Sequence, residues 1–442
     1  MDTFFLLVKQ WLKRYYFIFI ALLIVSLSFI ILLQLNPQSF LSTDQEVKIN
    51  FADNISRAHL RLVDLFNQRY QGRIQVVPVD LPFEKFSTNE RKELLTRTLR
   101  SKSTRLDVFA VDQIWISRFA KWAEPLDPFL PREERDALLS YALSSCIDNG
   151  RLVGVPLYID IGVLYYRHDL LRSFPDADSI EAQLQRSITW DALIALHNRW
   201  PHKKEKPFYL FPAEAYEGLM CSFIENLASQ DTALYRTPTA SLVTPQAVQA
   251  LQLMVDLIRN HKATPEAVLG FKEVDVYPYA LARDALFFRG WPGNLNKYAE
   301  TDAEKIALIR MAALPHFSGG QPKAVYGGWN LMVARNSTRK KEALTFIHFL
   351  LTEEAQKVMY ETMGFLPANN SVYMDSLFCA RHPGLRYLRH LLDHGAHRPA
   401  SEYYTQISDI ITYELHRALK GEVTARQALQ AAEQRIHREV HL

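Results

Sequence analysis

The sequence predicts an α/β protein with two lobes, preceded by one N-terminal transmembrane helix. Short apolar strands alternate with amphipathic helices from residue 47 onward, a pattern typical of sheets with helical crossovers. The chain of 442 residues is long enough for two or three domains of about 150 residues each. An uncharged and almost wholly apolar run precedes these elements at residues 15–33.

The composition is that of an ordinary globular protein. Hydrophobic residues make up 48% of the chain and charged residues 22%. The net charge of +3 and the lack of a basic run give no reason to expect a nucleic-acid partner. Cys146, Cys221 and Cys379 lie far apart without metal-ligand spacing, so we expect buried free thiols. Neither a metal nor a cofactor is predicted.

The apolar run at residues 15–33 is long enough to cross a membrane. At about 1.5 Å per residue, a helix of this length spans a hydrocarbon core of roughly 30 Å. Lys9, Lys13 and Arg14 precede the run, which places the N-terminus in the cytoplasm and the rest of the chain outside. A cleaved signal peptide has a shorter apolar core that ends in small residues, so we favour an uncleaved signal anchor. The predicted segments are a cytoplasmic end, a transmembrane anchor and a linker: residues 1–14, 15–34 and 35–45.

The first lobe begins with a strand, a helix and a second strand. Residues 47–51 (VKINF) and 73–79 (RIQVVPV) are predicted strands, and this order predicts a parallel sheet. Ligand groups gather at the carboxyl ends of such strands, where Asp53 and Asn54 follow the first one. These two residues either bind a ligand or cap the helix. The helix is predicted at residues 58–70, with four inward side chains: Leu60, Val63, Leu65 and Phe66.

A third strand is predicted at residues 106–111, and Asp112 and Trp115 follow its end. A tryptophan beside a carboxylate supplies an apolar platform and a hydroxyl acceptor, the pair that a sugar ring needs. An aromatic residue at a strand end is also common in ordinary cores. We predict that both residues line a cleft.

The segment at residues 154–171 (GVPLYIDIGVLYYRHDLL) organises the rest of the chain. It is an apolar, strand-forming run, and a lone carboxylate within it is costly to bury, so Asp160 faces a cleft or lies at an edge. The pattern resembles the first interdomain crossing of the family 1 extracellular solute-binding proteins, the sugar-binding subunits of ABC importers related to maltose- and trehalose-binding proteins. The resemblance implies a two-lobed periplasmic-binding-protein fold of type II with hinge crossings. It also implies that Asp160 touches sugar hydroxyls.

The resemblance continues through the second lobe. Residues 215–218 (AYEG) resemble a stretch of trehalose- and maltose-type members, which makes Tyr216 and Glu217 candidates for the cleft. The helix dipole alone also explains a glutamate at a helix start. Residues 285–294 resemble a family strand that ends in a tryptophan at the cleft. Because a proline and a glycine follow Trp291, this residue lies in a loop, and we predict that it stacks on the ligand.

Residues 325–334 (VYGGWNLMVA) carry the most specific local match, to a Gly-Gly-Trp signature followed by a strand and a helix. Glycines let a backbone approach a ligand closely, and the resemblance implies that Gly328 and Trp329 contact a sugar face. Near the C-terminus, the loop around Arg398 resembles a family loop whose arginine reaches the ligand. The resemblance implies two lobes with these bounds: residues 46–157 with 315–366, and residues 158–314 with 367–442.

The function that these features favour is binding without chemistry. A membrane-tethered protein would capture a disaccharide or short oligosaccharide between its lobes and present it to an ABC permease, with closure driven by tighter binding in the closed state. A ligand-sensing receptor that signals to a membrane partner is the alternative. A glycosidase is disfavoured because the sequence offers no acidic pair of defined spacing. We expect a monomer.

Overall fold

A computed structural model describes residues 2–35, 46–82, 88–101, 105–230 and 241–440. Most of the predicted linker, residues 36–45, lies outside the described residues. The α-helices are α1 Asp2–Leu35, α2 Arg57–Arg69, α3 Thr88–Arg100, α4 Ile116–Phe119, α5 Arg132–Asp136, α6 Ser140–Ser144, α7 His168–Leu171, α8 Ala177–Arg186, α9 Trp190–Arg199, α10 Glu217–Ala228, α11 Pro245–Arg259, α12 Glu273–Arg283, α13 Ala303–Ala307, α14 Lys340–Leu351, α15 Glu353–Met363, α16 Ser371–Met374, α17 Ser376–Arg381, α18 Gly384–Leu392, α19 Tyr404–Leu419 and α20 Ala425–Glu439. The strands are β1 Val47–Asp53, β2 Ile74–Asp80, β3 Val108–Asp112, β4 Ile147–Asp148, β5 Arg151–Leu152, β6 Val155–Ile161, β7 Val163–Arg167, β8 Tyr209–Leu210, β9 Phe287–Gly290, β10 Ile309–Ala312 and β11 Tyr326–Val333.

The N-terminal helix α1 is apolar and exposed. Its segment Thr3–Ser28 is long and apolar enough to cross a membrane. The helix begins at Asp2, well before the predicted span at residues 15–34. Because a signal sequence has the same length and composition, α1 fits both an anchor and a signal sequence.

The first lobe is built on a five-stranded sheet with the order β2-β1-β3-β11-β6. β1 and β3 run parallel, as the alternation of strands and helices predicts. β11 runs antiparallel to both β3 and β6, so the sheet is mixed and is not parallel throughout. The reason is that the chain comes back from the second lobe just before β11. It therefore enters the first sheet at the C-terminal ends of β3 and β6.

The second lobe is built on a four-stranded sheet with the order β10-β7-β9-β8. β8 comprises only Tyr209–Leu210, paired in parallel with Phe287 and Phe288. It is short because Pro212 has no N–H to continue the ladder. The C-terminal helices α19 and α20 pack against α10 and α11, which assigns them to this lobe.

The chain changes sheet at Gly162, between the end of β6 and the start of β7. The predicted lobe division between residues 157 and 158 falls inside β6. A Cβ at Gly162 would collide with Oε1 of Glu225, so the crossing requires glycine. The return crossing runs from Ala312 to Tyr326.

The packing of α2 corrects one part of the predicted core. Val63 and Phe66 are buried as predicted, but Leu62 is buried in place of Leu60, which is 47% exposed. The buried face of the helix includes His59. Because histidine is polar, the apolar pattern of the sequence does not show that this face is the buried one. Leu65 is half-buried. The three cysteines are buried and free, which confirms the prediction.

Candidate functional site

Four strand ends meet at one edge of the first sheet. β1 and β3 end there at Asp53 and Asp112, and Asp160 is the penultimate residue of β6. β11 starts at the same edge because it runs antiparallel to its neighbours, so that Trp329 pairs with Asp112 and Gly327 with Asp160. The sheet thus collects carboxylates, glycines and a tryptophan from distant parts of the sequence.

Arg398 joins Asp112 to Glu217. Its Nη2 donates to Oδ1 of Asp112 and its Nη1 donates to Oε1 of Glu217, each at 2.8 Å. Asp112 ends a strand of the first lobe, and Glu217 opens α10 of the second. Arg398 is only 7% exposed, so both ion pairs are shielded from water. A single guanidinium therefore links the lobes through three of the predicted site residues.

Glu217 is held by more than the dipole of its helix. The hydroxyl of Tyr404 donates to its Oε1 at 2.7 Å, and the hydroxyl of Ser408 donates to its Oε2 at 2.6 Å. Burial raises the pKa of Glu217, while Arg398 and the two hydroxyls act in the opposite direction. The carboxylate is fixed in place by α19 and by the loop that carries Arg398.

Asp53 holds an arginine against Trp329. Nη2 of Arg91 donates to Oδ1 of Asp53 at 3.3 Å, and Nε2 of His59 lies 3.4 Å from Oδ2. The guanidinium of Arg91 lies 4.5 Å from the ring centroid of Trp329. Asp53 also accepts the backbone N–H of the half-buried Asn54 at 2.6 Å. Asp53 therefore orders Arg91 at the edge of the first lobe.

Trp115 lies behind Trp329 rather than beside it. Trp115 is 1% exposed, and the two rings meet edge to face with centroids 6.0 Å apart, while Trp329 is half-buried at the edge of the sheet. Asp112 caps a 3₁₀ turn, Gln113–Trp115, which directs the Trp115 ring into the core. The structure thus places Trp115 in the core of the first lobe and not at the cleft.

Trp291 is the aromatic residue of the second lobe at this site. Its Nε1 donates to Oε1 of Glu273 at 2.7 Å, and its backbone N–H donates to the hydroxyl of Tyr277 at 2.7 Å. The guanidinium of Arg289 lies 4.0 Å from the centroid of its ring. The indole is therefore held in one orientation.

The glycines of β11 make room for Trp291 and for β6. A Cβ at Gly327 would lie 2.8 Å from Cζ3 of Trp291 and 3.1 Å from Cβ of Asp160. Gly328 has φ +118°, and a Cβ there would lie 2.5 Å from the carbonyl oxygen of Tyr158. The ring of the second lobe thus rests on the backbone of the first sheet.

Asp160 is half-buried on β6, where its Oδ1 accepts the backbone N–H of Ile161 at 3.0 Å. Burial raises the pKa of Asp160 to about 8, against the opposing effects of that hydrogen bond and of Arg289. The group is therefore mainly protonated at neutral pH. A protonated carboxyl group both donates and accepts a hydrogen bond, as a sugar hydroxyl requires.

Tyr216 acts on the site indirectly. Its hydroxyl accepts the backbone N–H of Glu273 at 2.6 Å, at the start of α12. Glu273 in turn accepts the hydrogen bond from Trp291. Tyr216 therefore supports the residue that orients the tryptophan.

A cavity of about 350 Å³ lies between the first lobe and the C-terminal helices, and Arg398, Asp112 and Glu217 do not line it. Lys92 and Arg118 line it from α3 and α4, while Tyr403 and Tyr413 line it from the side of α19. Its volume is in the range of small-molecule sites in proteins.

A sequence model described as bacterial extracellular solute-binding protein matches residues 52–357. The chain belongs to this family. A probable ABC transporter-binding protein of Deinococcus radiodurans is 27% identical to this solute-binding protein over 361 residues, which cover 79% of this chain and 84% of that one.

Solved structures share the fold of this solute-binding protein. The maltose-bound MalE3 of T. maritima is 28% identical with a TM-score of 0.77, and the match covers 88% of this chain and 99% of that one. The GacH receptor of Streptomyces glaucescens, solved with acarbose, is 19% identical with a TM-score of 0.75 and coverages of 89% and 98%. These likenesses confirm the two-lobed type II fold, which is that of transport binding proteins and not of enzymes.

Sequence analysis missed three parts of this site in the solute-binding protein. Arg91 lies in a helix rich in charges, and no pattern distinguishes it from its neighbours. Tyr158 and Phe365 stack with centroids 4.2 Å apart, but they come from distant segments and carry no joint signal. Glu225 pairs with Arg289 through two hydrogen bonds of 2.8 and 3.2 Å, and the arginine inside a buried strand was the available signal for that partner.

Proposed function

We propose that this solute-binding protein captures a saccharide between its lobes and delivers it to an ABC permease while α1 tethers it to the membrane. One observation carries the proposal. Trp329 of the first lobe and Trp291 of the second lie at the sheet edge that also holds Asp160 and the Arg398 bridge. Indole rings match the C–H faces of a sugar, and the polar groups match its hydroxyls.

The charges at the site favour a neutral ligand. Arg398 is already paired with Asp112 and Glu217, and Arg289 is paired with Glu225. A charged ligand would leave one of these buried groups without a counterion, which is costly. A polyhydroxyl ligand donates and accepts hydrogen bonds without changing the net charge. The maltose in MalE3 of T. maritima belongs to this class of ligand.

Delivery follows from closure of the lobes. A ligand that contacts both tryptophans binds the closed state more tightly than the open state, and only that difference in affinity shifts the equilibrium. The permease then recognises the closed form. A sensor would use the same step to signal to a membrane partner, and purification of the complex from membranes distinguishes the two roles by the partner found.

A thermal-shift screen tests the proposal. The full chain, in a detergent without a sugar headgroup, is heated with mono-, di- and oligosaccharides and with sugar alcohols. A ligand that binds only the folded state raises the melting temperature. We expect a saccharide hit that Trp329→Ala abolishes and that Trp122→Ala, a half-buried tryptophan of the first lobe, retains. A folded protein without any hit contradicts the proposal.

A further inference from the structure

A second cavity, of about 260 Å³, lies where the chain crosses between the lobes. Gly162 of the first crossing lines it, as do residues of the return crossing between β10 and β11. These residues of the return crossing are Ala313, Leu314, Pro322, Lys323 and Ala324. The cavity thus touches two of the chain segments that connect the lobes.

Four basic side chains lie among the partly apolar walls of this hinge cavity, Lys323 half-buried and the other three exposed. Arg186 comes from the end of α8, Lys323 from the return crossing, and His390 and His394 from α18 and the loop after it. Within the described part of the chain, none of these four side chains forms an ion pair or a side-chain hydrogen bond, and no carboxylate lines the cavity. Uncompensated basic groups around one cavity favour an anion.

Two neighbouring contacts are consistent with an anion in this cavity. Asp393, which lies between the two histidines in sequence, is paired with Arg389, so its negative charge already has a counterion. The hydroxyl of Tyr387 accepts the backbone N–H of Ala313 at 2.9 Å, so its own proton is left to donate. Tyr387 also lines the cavity and adds a donor to the basic groups.

We propose that the hinge cavity binds a phosphoryl group, supplied either by inorganic phosphate or by a small phosphate ester. Arginine and lysine are the side chains that recognise phosphate, the first through a planar fork and the second as a point charge. The site is separate from the tryptophans of the cleft, so the inference holds whatever the cleft binds. Because two of the crossings line the cavity, its occupant biases the opening and closing of the lobes.

Calorimetric titration of the full chain with inorganic phosphate tests the proposal. The protein is kept in a detergent without phosphate or sugar headgroups, in a chloride buffer and without any saccharide. Parallel titrations use a hexose phosphate, the unphosphorylated hexose and sulfate. We expect the double variant R186A/K323A to bind phosphate at least tenfold more weakly than the wild type. The matched control R426A/K341A removes one exposed arginine and one exposed lysine elsewhere and keeps the wild-type affinity.

Each outcome decides the question. Loss of phosphate binding in R186A/K323A alone supports the site, and a hexose phosphate that binds more tightly than inorganic phosphate identifies an ester as the ligand. Equal loss in both double variants, or binding that tracks ionic strength and not the phosphoryl group, overturns it. So does the lack of binding by either phosphate source. The charge-conserving variant Lys323→Arg retains binding if the site is as described. Saccharide binding is measured separately, so its failure is distinguishable from failure here.

Discussion

The ring of Trp291 rests on the backbone of Gly327, so that a Cβ at Gly327 would lie 2.8 Å from Cζ3 of the indole. Trp291 follows β9 of the second sheet, and Gly327 is the second residue of β11 in the first. This contact joins the lobes without a hydrogen bond or a charge. It also explains why the Gly-Gly-Trp segment carries glycine where a strand would favour a branched side chain.

Gly327→Ala tests this contact. The added methyl group pushes Trp291 away from β11, and we expect the saccharide affinity to fall about tenfold, equivalent to about 1.4 kcal/mol. Gly270→Ala is the control, because a Cβ there meets nothing within 4 Å. Calorimetric titration measures both. Equal affinities in the two variants would show that the ring does not need this glycine.

Removing Arg398 leaves two carboxylates without their partner. The side chains of Asp112 and Glu217 are 19% and 18% exposed, so we expect Arg398→Ala to cost about 3–5 kcal/mol in the free energy of unfolding. Arg57→Ala is the control, since its pair with Glu300 is exposed and is worth about 0–1 kcal/mol. Urea denaturation measures both. A loss below 1 kcal/mol for Arg398→Ala contradicts a buried bridge.

The raised pKa of Asp160 predicts a pH dependence of stability. Its pKa is about 8 in the folded chain against 3.8 ordinarily, so the folded state binds more protons between these values. The contribution of Asp160 to stability is complete below about pH 4 and is lost as the pH rises to about 8. We expect the stability of Asp160→Asn to be closest to that of the wild type near pH 4 and to exceed it by at least about 1 kcal/mol at pH 9. Urea denaturation across this range checks it, with Asp64→Asn, an exposed site, as the control. Parallel profiles for wild type and Asp160→Asn would refute the prediction.

We expect alanine substitutions of Trp115 and Trp329 to affect different properties, the first mainly stability and the second mainly saccharide binding. Trp115 is buried, so Trp115→Ala should cost about 3–5 kcal/mol in the free energy of unfolding. Trp329→Ala should cost less stability and remove saccharide binding. Denaturation and calorimetric titration of both variants measure the two effects. A stable Trp115→Ala that has lost its ligand would instead make Trp115 a residue of the cleft.

The fate of α1 is a direct test of the anchor. If α1 is an uncleaved anchor, protein extracted from membranes retains peptides from the segment before Ser28. Mass spectrometry of the mature chain measures this. A mature N-terminus beyond Leu35 would identify α1 as a cleaved signal sequence.

Much of the fold could be predicted because local patterns coincide with it. Thr189 and Thr244 cap α9 and α11 as polar residues before an apolar helix should, and Pro245 occupies the first turn of α11. The direction of β11 could not be predicted from local pattern. It depends on which lobe the chain returns from, and strand propensity carries no information on that.

The site was predictable where a residue's role is local and hidden where a role depends on distant partners. Arg398, Asp112 and Glu217 were each candidates. Only the fold shows that the guanidinium of Arg398 pairs with both carboxylates. The burial of Trp115 could not be predicted, because the sequence does not show whether the turn after β3 directs this side chain outward or inward.

The most direct test of the central claim is calorimetric titration of the full chain with the saccharide found in the thermal screen. The account predicts one saccharide per chain, with a micromolar dissociation constant that corresponds to a binding free energy of about −8 kcal/mol. It predicts no measurable binding by the folded double variant W291A/W329A. Wild-type affinity in that variant, or a folded wild type that binds no saccharide, would contradict it.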